Sequence, residues 1–196
     1  GFGRHAISLA KHGFKVTGVD ISATFIKNLS EKVITQNLPI QVIKADVLDV
    51  ELRQPFSGAI CMGNSFGYFD FDKMNMFVET VAKALTKGAR FIVNSGMIAE
   101  SILPNFAKDK LFTVGDINMR VQNTYDAENS YMISKLTYTK NNISEEHAFK
   151  HYVFTLSEVK RLLAKYDLQV IGTYSSPDGL TYKLGDAQIY MVAEKM

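Results

Sequence analysis

The sequence predicts an α/β fold with a doubly wound, mostly parallel sheet and a small antiparallel β insertion. In the first half of the chain, short runs rich in β-formers alternate with segments of helical periodicity, which is typical of a parallel sheet flanked by helices. Beyond residue 111, strand-like segments follow one another with turn residues but no helix between them, which is typical of antiparallel pairing. The 196 residues suffice for one domain with such an insertion.

Each element of the first half has a local signal. Apolar positions recur at helical spacing over residues 4–12, over a segment that Ser22 can cap, and over about residues 72–85. Asn37 and Pro39 stop the second of these helices. Strands are predicted over residues 15–20, 40–44, 58–62 and 89–94. Residues 58–62 form a continuous apolar run, which predicts a strand buried on both faces.

The second half is predicted to hold the insertion and the end of the main sheet. Strand-like segments cover residues 117–125, 131–139 and 148–154. Thr155 and Glu158 then form a capping box before a helix. Residues 168–174 and 188–192 are two last strands, and the turn-forming residues 175–179 stand between them.

Composition argues against several classes of partner. The net charge is +2 and no dense basic run occurs, so nucleic acid is not expected as a partner. No apolar stretch approaches the roughly 20 residues of a membrane helix, and no signal peptide opens the chain. The single cysteine, Cys61, cannot form an internal disulfide, which favours a cytoplasmic location. Inside an apolar strand, Cys61 is expected to be an inert core residue.

The first twenty residues carry a pattern suited to adenosine binding. Gly1 and Gly3 let the backbone approach a ligand closely, and the helix that follows presents free N–H groups at its start. Asp20 ends the next strand, where its carboxylate can accept both hydroxyls of a ribose. The alternative interpretation is a tight turn followed by a surface aspartate. Because Gly1-x-Gly3-x-x-Ala6 also satisfies the dinucleotide fingerprint, the loop alone does not exclude NAD.

The stretch GFGRHAISLAKHGFKVTGVDIS resembles class I S-adenosylmethionine-dependent methyltransferases, and in particular bacterial small-molecule enzymes with a Gly-Arg-His helix start. The resemblance implies a Rossmann-like sheet whose last strand is antiparallel, and the two closing strands fit this. In that family a strand and an Asp-x-Gly-x segment precede the loop. The chain is therefore expected to begin partway through the cofactor loop, with its first strand upstream of Gly1.

Two further segments carry the resemblance. Lys44-Ala45-Asp46-Val47 is similar to the segment in which an acid binds the adenine amino group, and the alternative for Asp46 is a turn or cap acid. Residues 59–69 are similar to the fourth strand and the loop that meets the methionine part of the cofactor and the substrate. The residues expected to bind S-adenosylmethionine are Gly1, Gly3, Arg4, Asp20, Ile21, Asp46, Val47 and Gly63. For Arg4, a solvated side chain is an equal alternative.

Methyl transfer needs few catalytic groups, since the protein must mainly align an acceptor with the methyl group and exclude water. No catalytic residue is therefore assigned. The candidates for the pocket wall are Asn64, Tyr68, Phe69 and His151. The alternative is a glycine-rich loop with aromatic residues docked on the core. His147 and His151 fall on one face of their segment, but no metal site is expected, because no Asp or Cys joins them at ligand spacing.

The sequence thus predicts a methyltransferase that moves a methyl group from S-adenosylmethionine to a small-molecule acceptor by in-line displacement. No Asn/Asp-Pro-Pro-Tyr motif follows the fourth strand, which argues against adenine or glutamine amino groups as acceptors. Residues 1–110 and 154–196 are expected to form the cofactor-binding domain, and residues 111–153 an inserted β-lid on the substrate side. A monomer or homodimer is expected. The alternatives are an NAD(P)-dependent oxidoreductase and a non-catalytic fragment or degenerate relative with a binding role.

Overall fold

The computed structural model describes residues 1–52 and 55–196. The chain divides into two compact units, Gly1–Arg53 and Gln54–Met196. None of the helices in the described ranges has the length and apolar composition needed to cross a bilayer.

The first unit is a β-α-β arrangement preceded by a helix. Its elements are α1 (Arg4–Lys11), β1 (Val16–Asp20), α2 (Ala23–Thr35) and β2 (Ile40–Lys44). The two strands are parallel, so both strands end at the same edge, where Asp20 lies opposite Lys44. Ser22 caps α2 by accepting a hydrogen bond from the Phe25 N–H, as predicted. A small core of Ala10, Leu29 and Ile40 joins the helices to the strands.

The second unit contains two four-stranded sheets. Its helices are α3 (Phe71–Ala84), α4 (Ala99–Ile102) and α5 (Leu156–Ala164). Its strands are β3 (Phe56–Cys61), β4 (Leu85–Ser95), β5 (Asp109–Val114), β6 (Ile117–Asp126), β7 (Tyr131–Lys140), β8 (Ile143–Tyr152), β9 (Leu168–Tyr174) and β10 (Ile189–Lys195). The mixed sheet has the order β3-β4-β10-β9, and the antiparallel sheet has the order β5-β6-β7-β8.

The mixed sheet has the predicted reversal of its last strand. β3 and β4 are parallel, whereas β10 is antiparallel to both β4 and β9. Ile189, Met191 and Ala193 alternate along β10 and are almost fully buried, which shows that one face of β10 packs against the core of the unit. The predicted α/β fold, with a mostly parallel arrangement and an antiparallel last strand, is confirmed.

The predicted burial of residues 58–62 on both faces is wrong for the described residues, in which β3 pairs with β4. Ile60 is 43% exposed, and no residue of β3 is fully buried. An apolar run identifies a strand, but its burial depends on what covers the strand, which local sequence does not specify.

The antiparallel sheet is larger than predicted, because β5 adds a strand that the sequence analysis did not identify. Its two faces differ. The polar face carries the Lys135–Glu146 ion pair, with Nζ and Oε2 3.0 Å apart. The other face buries Asn123, Met132, Ser134 and His151 against the rest of the unit. Thr155 and Glu158 form the predicted capping box at the start of α5, directly after the sheet.

Candidate functional site

The glycine loop of the first unit requires a glycine at position 3. Gly3 has a φ of +74°, in the left-handed region. A Cβ atom at this position would lie 2.5 Å from Cδ1 of Leu29, inside the core between α1 and α2. Gly3 therefore allows the turn and also lets α1 approach α2 closely. The first-turn N–H groups of α1 lack intrahelical acceptors, as at any helix start, which suits an anionic or polar ligand.

Asp20 lies next to the glycine loop at the carboxyl end of β1. Its Oδ2 forms an ion pair with the amino group of Gly1, and its Oδ1 accepts a hydrogen bond from the Ser22 N–H at 2.8 Å. The Asp20 carbonyl accepts from the Ala45 N–H at 3.2 Å, which brings the end of β2 alongside. The structure thus places the predicted ribose acid, the glycine loop and the residue preceding Asp46 at one edge of the parallel pair.

The other predicted cofactor residues of the first unit have varied environments. Asp46 Oδ1 accepts a hydrogen bond from the Leu48 N–H at 2.9 Å, so this acid also stabilises its own turn. Val47 is half-buried, whereas Arg4 is exposed and Ile21 is 68% exposed. Exposed apolar side chains beside a strand end are compatible with a ligand contact but do not require one.

The loop after β3 is held by asparagine side chains. Gly63 and Asn64 both have left-handed backbones, with φ of +72° and +69°. The Gly63 N–H donates to Oδ1 of Asn94 at 3.4 Å, and Asn64 Oδ1 accepts from the Gly96 N–H at 2.6 Å. The Asn64 carboxamide is thus directed at the end of β4, where it fixes two loops to each other.

Two aromatic residues of this loop, Phe69 and Tyr68, have different environments. Phe69 packs against Phe77 of α3, with ring centroids 5.7 Å apart, and so contributes to the core. Tyr68 is 52% exposed and stacks on His151, with centroids 4.5 Å apart and an interplanar angle of 28°. The structure therefore brings Tyr68 and His151 into direct contact, whereas Phe69 has a packing environment.

His151 is buried without hydrogen bonds. Its relative exposure is 3%, and neither Nδ1 nor Nε2 has a partner. Its ring meets Tyr68 on one side and Phe149 edge-on at 5.0 Å. Burial lowers the pKa of His151 below its usual value near 6.5, so the ring is neutral at pH 7.

His147 lies on the same face of β8 but in a different environment. It is exposed, and its Nε2 lies 2.7 Å from a carboxylate oxygen of Glu145. Across residues 1–52 and 55–196, no three His, Cys, Asp or Glu side chains are grouped as a metal site would need. Burial raises the pKa of the Cys61 thiol to about 12, which leaves it protonated and unreactive at neutral pH.

The sequence analysis missed Asn94 and Gln188, which organise the loop after β3. Asn94 Nδ2 donates to Oε1 of Gln188 at 3.1 Å and to the Ile189 carbonyl at 3.2 Å. A polar residue at the end of the apolar strand β4 was the available signal for Asn94. Gln188 offered no comparable local signal, because it meets Asn94 only through the pairing of β10 with β4.

Comparison with known proteins gives the fold a family context. Residues 1–88 match a family model described as a methyltransferase domain. No curated protein matches the sequence. Many solved structures match the chain.

Three of these structures illustrate the match. An S-adenosylmethionine-dependent methyltransferase from Clostridium acetobutylicum has a TM-score of 0.88 at 13% identity, over 99% of this chain and 80% of that chain. The methyltransferase CcbJ from Streptomyces caelestis has a TM-score of 0.89 at 14% identity, over 100% and 80%. An amino pentose methyltransferase from Micromonospora echinaspora, bound to S-adenosylmethionine, has a TM-score of 0.77 at 12% identity, over 100% and 80%. The predicted resemblance is confirmed.

Proposed function

Since the chain has the fold of S-adenosylmethionine-dependent methyltransferases and its first 88 residues match a methyltransferase domain, we propose that it methylates a small molecule. The methyl group passes from S-adenosylmethionine to the acceptor by in-line displacement. The bound cofactor supplies the reactive methyl group, and the protein binds, orients and shields the reactants.

Four of the proposed cofactor residues, Asp20, Ile21, Asp46 and Val47, lie at or just after the carboxyl ends of the parallel strands β1 and β2, where α/β sheets commonly bind ligands. Asp20 accepts the ribose hydroxyls and Asp46 accepts the adenine amino group. Gly1 and Gly3 let the backbone approach the cofactor, with Ile21 and Val47 as apolar contacts. Arg4 pairs with the carboxylate of the methionine part. In the second unit, Gly63 contributes the backbone of the loop after β3.

The proposed acceptor pocket uses the second unit. Asn64, Tyr68, Phe69 and His151 are assigned to its wall, and residues 111–153 are assigned as a lid over it. The contacts of these residues support different roles for them. Tyr68 and His151 are assigned to face the acceptor, while Asn64 and Phe69 hold the loop in place. A cytoplasmic location and a monomeric or homodimeric state belong to the same proposal.

A small-molecule acceptor is supported by the kind of proteins that share the fold. One similar structure is an amino pentose methyltransferase, and another is a sugar N-methyltransferase from a Streptoalloteichus species. A compound with an amino or hydroxyl group on a sugar-like scaffold is therefore the first acceptor class to test.

The observation that carries the cofactor assignment is the position of Asp20. Asp20 is the last residue of β1, and its Oδ1 accepts a hydrogen bond from the Ser22 N–H, so the carboxylate is held at a strand end, where α/β sheets commonly bind ligands. A carboxylate in this position can accept two hydrogen bonds from adjacent ribose hydroxyls.

Binding of S-adenosylhomocysteine to Asp20→Asn tests this assignment. We expect the dissociation constant to rise about 10- to 100-fold, since charge-assisted hydrogen bonds contribute roughly 1.5–3 kcal/mol. Asp49→Asn is the matched control: Asp49 is an exposed aspartate of the same unit and should leave binding unchanged. Isothermal titration calorimetry gives the constants.

A thermal-shift titration of the wild-type chain separates the proposed function from its rival. S-adenosylhomocysteine should raise the melting temperature, whereas NAD should not. Stabilisation by NAD alone would replace the methyltransferase proposal with an oxidoreductase. Equal binding by wild type and Asp20→Asn would remove Asp20 from the site.

A further inference from the structure

His151 is unusual among the buried polar side chains of the protein. In the described part of the chain, only three buried side-chain atoms lack a hydrogen-bond partner: both ring nitrogens of His151 and Oγ of Ser176. Leaving a buried donor or acceptor unpaired is costly, so such groups in native proteins call for a specific explanation. His151 carries two of them in one ring that is 3% exposed.

Neighbouring buried polar groups on the same sheet face are hydrogen-bonded within the protein. Ser134 Oγ donates to Asn123 Oδ1 at 2.7 Å, and Asn123 Nδ2 donates to the Ala107 carbonyl at 2.8 Å. Both residues are therefore satisfied within the protein, although they are as buried as His151. The sheet can pair its buried polar groups, so the unpaired state of His151 is not a general property of this interface.

The position of His151 connects it to the loop after β3. A Cβ atom on Gly67 would lie only 3.1 Å from Cδ2 of His151, so the glycine allows the loop and the ring to meet. Tyr68 covers one face of the imidazole and is itself 52% exposed. Tyr68 is therefore a partly exposed side chain in direct contact with the buried imidazole.

The chemistry of the ring limits what it can bind. A neutral imidazole offers one acceptor nitrogen and one donor N–H. Its surroundings are aromatic, with Tyr68 and Phe149 against the ring, which favours a partly apolar ligand that carries a polar hydrogen. A fully methylated nitrogen or an ether oxygen has no hydrogen to donate to the acceptor nitrogen of His151.

We propose that His151 accepts a hydrogen bond from the N–H or O–H group of the methyl acceptor, which is therefore an amine or an alcohol with a hydrogen on the attacking atom. This assignment rests on the proposed methyltransferase function and specifies the substrate class of its pocket. By holding that hydrogen, His151 orients the lone pair of the attacking atom.

His151→Phe tests the proposal, because phenylalanine keeps a ring of similar size and removes both nitrogens. The matched control is His147→Phe, four residues earlier on the same strand face but exposed. His151→Asn is a second variant that keeps a hydrogen-bonding group. Three measurements are made on each protein: the melting temperature, the affinity for S-adenosylhomocysteine, and the kcat/KM for methyl transfer.

The acceptor probe is the compound that gives the fastest S-adenosylhomocysteine release from wild type in a panel of amino sugars, aminocyclitols and their N,N-dimethyl counterparts. We expect His151→Phe to raise the melting temperature by about 2–4 °C, since two unpaired polar atoms are removed. Its kcat/KM should fall at least 30-fold while its affinity for S-adenosylhomocysteine stays within twofold. His147→Phe should match wild type, and His151→Asn should retain more activity than His151→Phe.

The outcomes separate the two proposals. Absence of S-adenosylhomocysteine binding to wild type would overturn the proposed function. If wild type binds it and His151→Phe keeps kcat/KM within threefold, the role of His151 is wrong and the function stands. A fall in the melting temperature of His151→Phe would show that the imidazole is a structural residue, and would also overturn its role.

Discussion

Asn94 and His151 occupy comparable buried positions but differ in their hydrogen bonding. Both are buried polar residues near the end of a strand, and both contact the loop that follows β3: Asn94 at Gly63 and His151 at Gly67 and Tyr68. Asn94 uses its amide group for three hydrogen bonds, whereas His151 makes none. A buried polar group that is fully paired stabilises the fold, and one that is unpaired lowers stability and is retained where a ligand completes it.

The largest effect that would sharpen this comparison is expected for Asn94→Ala. The substitution leaves Gly63, Gln188 and Ile189 without their partner, so we expect a loss of about 2–3 kcal/mol in the free energy of unfolding. Urea denaturation measures this loss. Asn28→Ala, on the surface of α2, should change the free energy by less than about 0.5 kcal/mol. A small effect at Asn94 would contradict its structural role.

A moderate effect is expected for Gly67→Ala. The new methyl group would meet Cδ2 of His151 at 3.1 Å and Cβ of Met97 at 3.2 Å, so the loop and the sheet must move apart slightly. We expect a loss of about 1–2 kcal/mol in the free energy of unfolding, as for other overpacked sites. In a His151→Ala background the loss should be smaller, since the ring is gone. Equal losses in both backgrounds would show that the loop does not depend on His151.

The smallest effect concerns pH. Burial lowers the pKa of folded His151, so the unfolded chain takes up a proton at a pH where the folded chain does not. The contribution of this pKa difference to the free energy of unfolding is fully present above pH 6.5. It is lost as the pH falls from there towards the pKa of His151 in the folded protein. His151→Phe should therefore lose less stability than wild type between about pH 7 and 5 in thermal melts.

The groups around His151 define the control for this pH profile. Tyr68 is the titratable side chain stacked on the ring, and Glu145 and His147 lie further along the same strand face, while Lys150 lies on the opposite face. His147→Phe should keep the wild-type slope, because His147 is exposed. Parallel profiles for wild type and His151→Phe would show that His151 does not control the acid side of stability.

Much of the fold was predictable because its signals are local. Ser22 and the Thr155–Glu158 capping box mark the starts of two helices by side-chain hydrogen bonds that span three residues. The reversal of β10 was implied by the resemblance to methyltransferases, and the two closing strand-like segments without a helix between them fit it. β5 was missed because its residues are mostly exposed and lack a buried apolar alternation that would identify a strand.

The candidate site was only partly predictable. Spacing placed Asp20 at a strand end beside the glycine loop, and the structure shows that contact. Spacing grouped Phe69 with Tyr68, but the structure packs Phe69 against α3 and leaves Tyr68 exposed. Adjacent residues in a loop can point into different environments, and the direction of each depends on what packs beneath the loop.

The alternation of strands and helices, the caps, and the order of motifs that resembles methyltransferases were predictable from the sequence, since each depends on neighbours within a few residues. The packing of the second unit, in contrast, determines that Asn94 is hydrogen-bonded and that His151 is not. Burial and hydrogen bonding depend on partners far apart in the chain: Asn94 meets Gln188, and His151 meets Tyr68. No local pattern specifies such pairs, because they are set when the sheets pack.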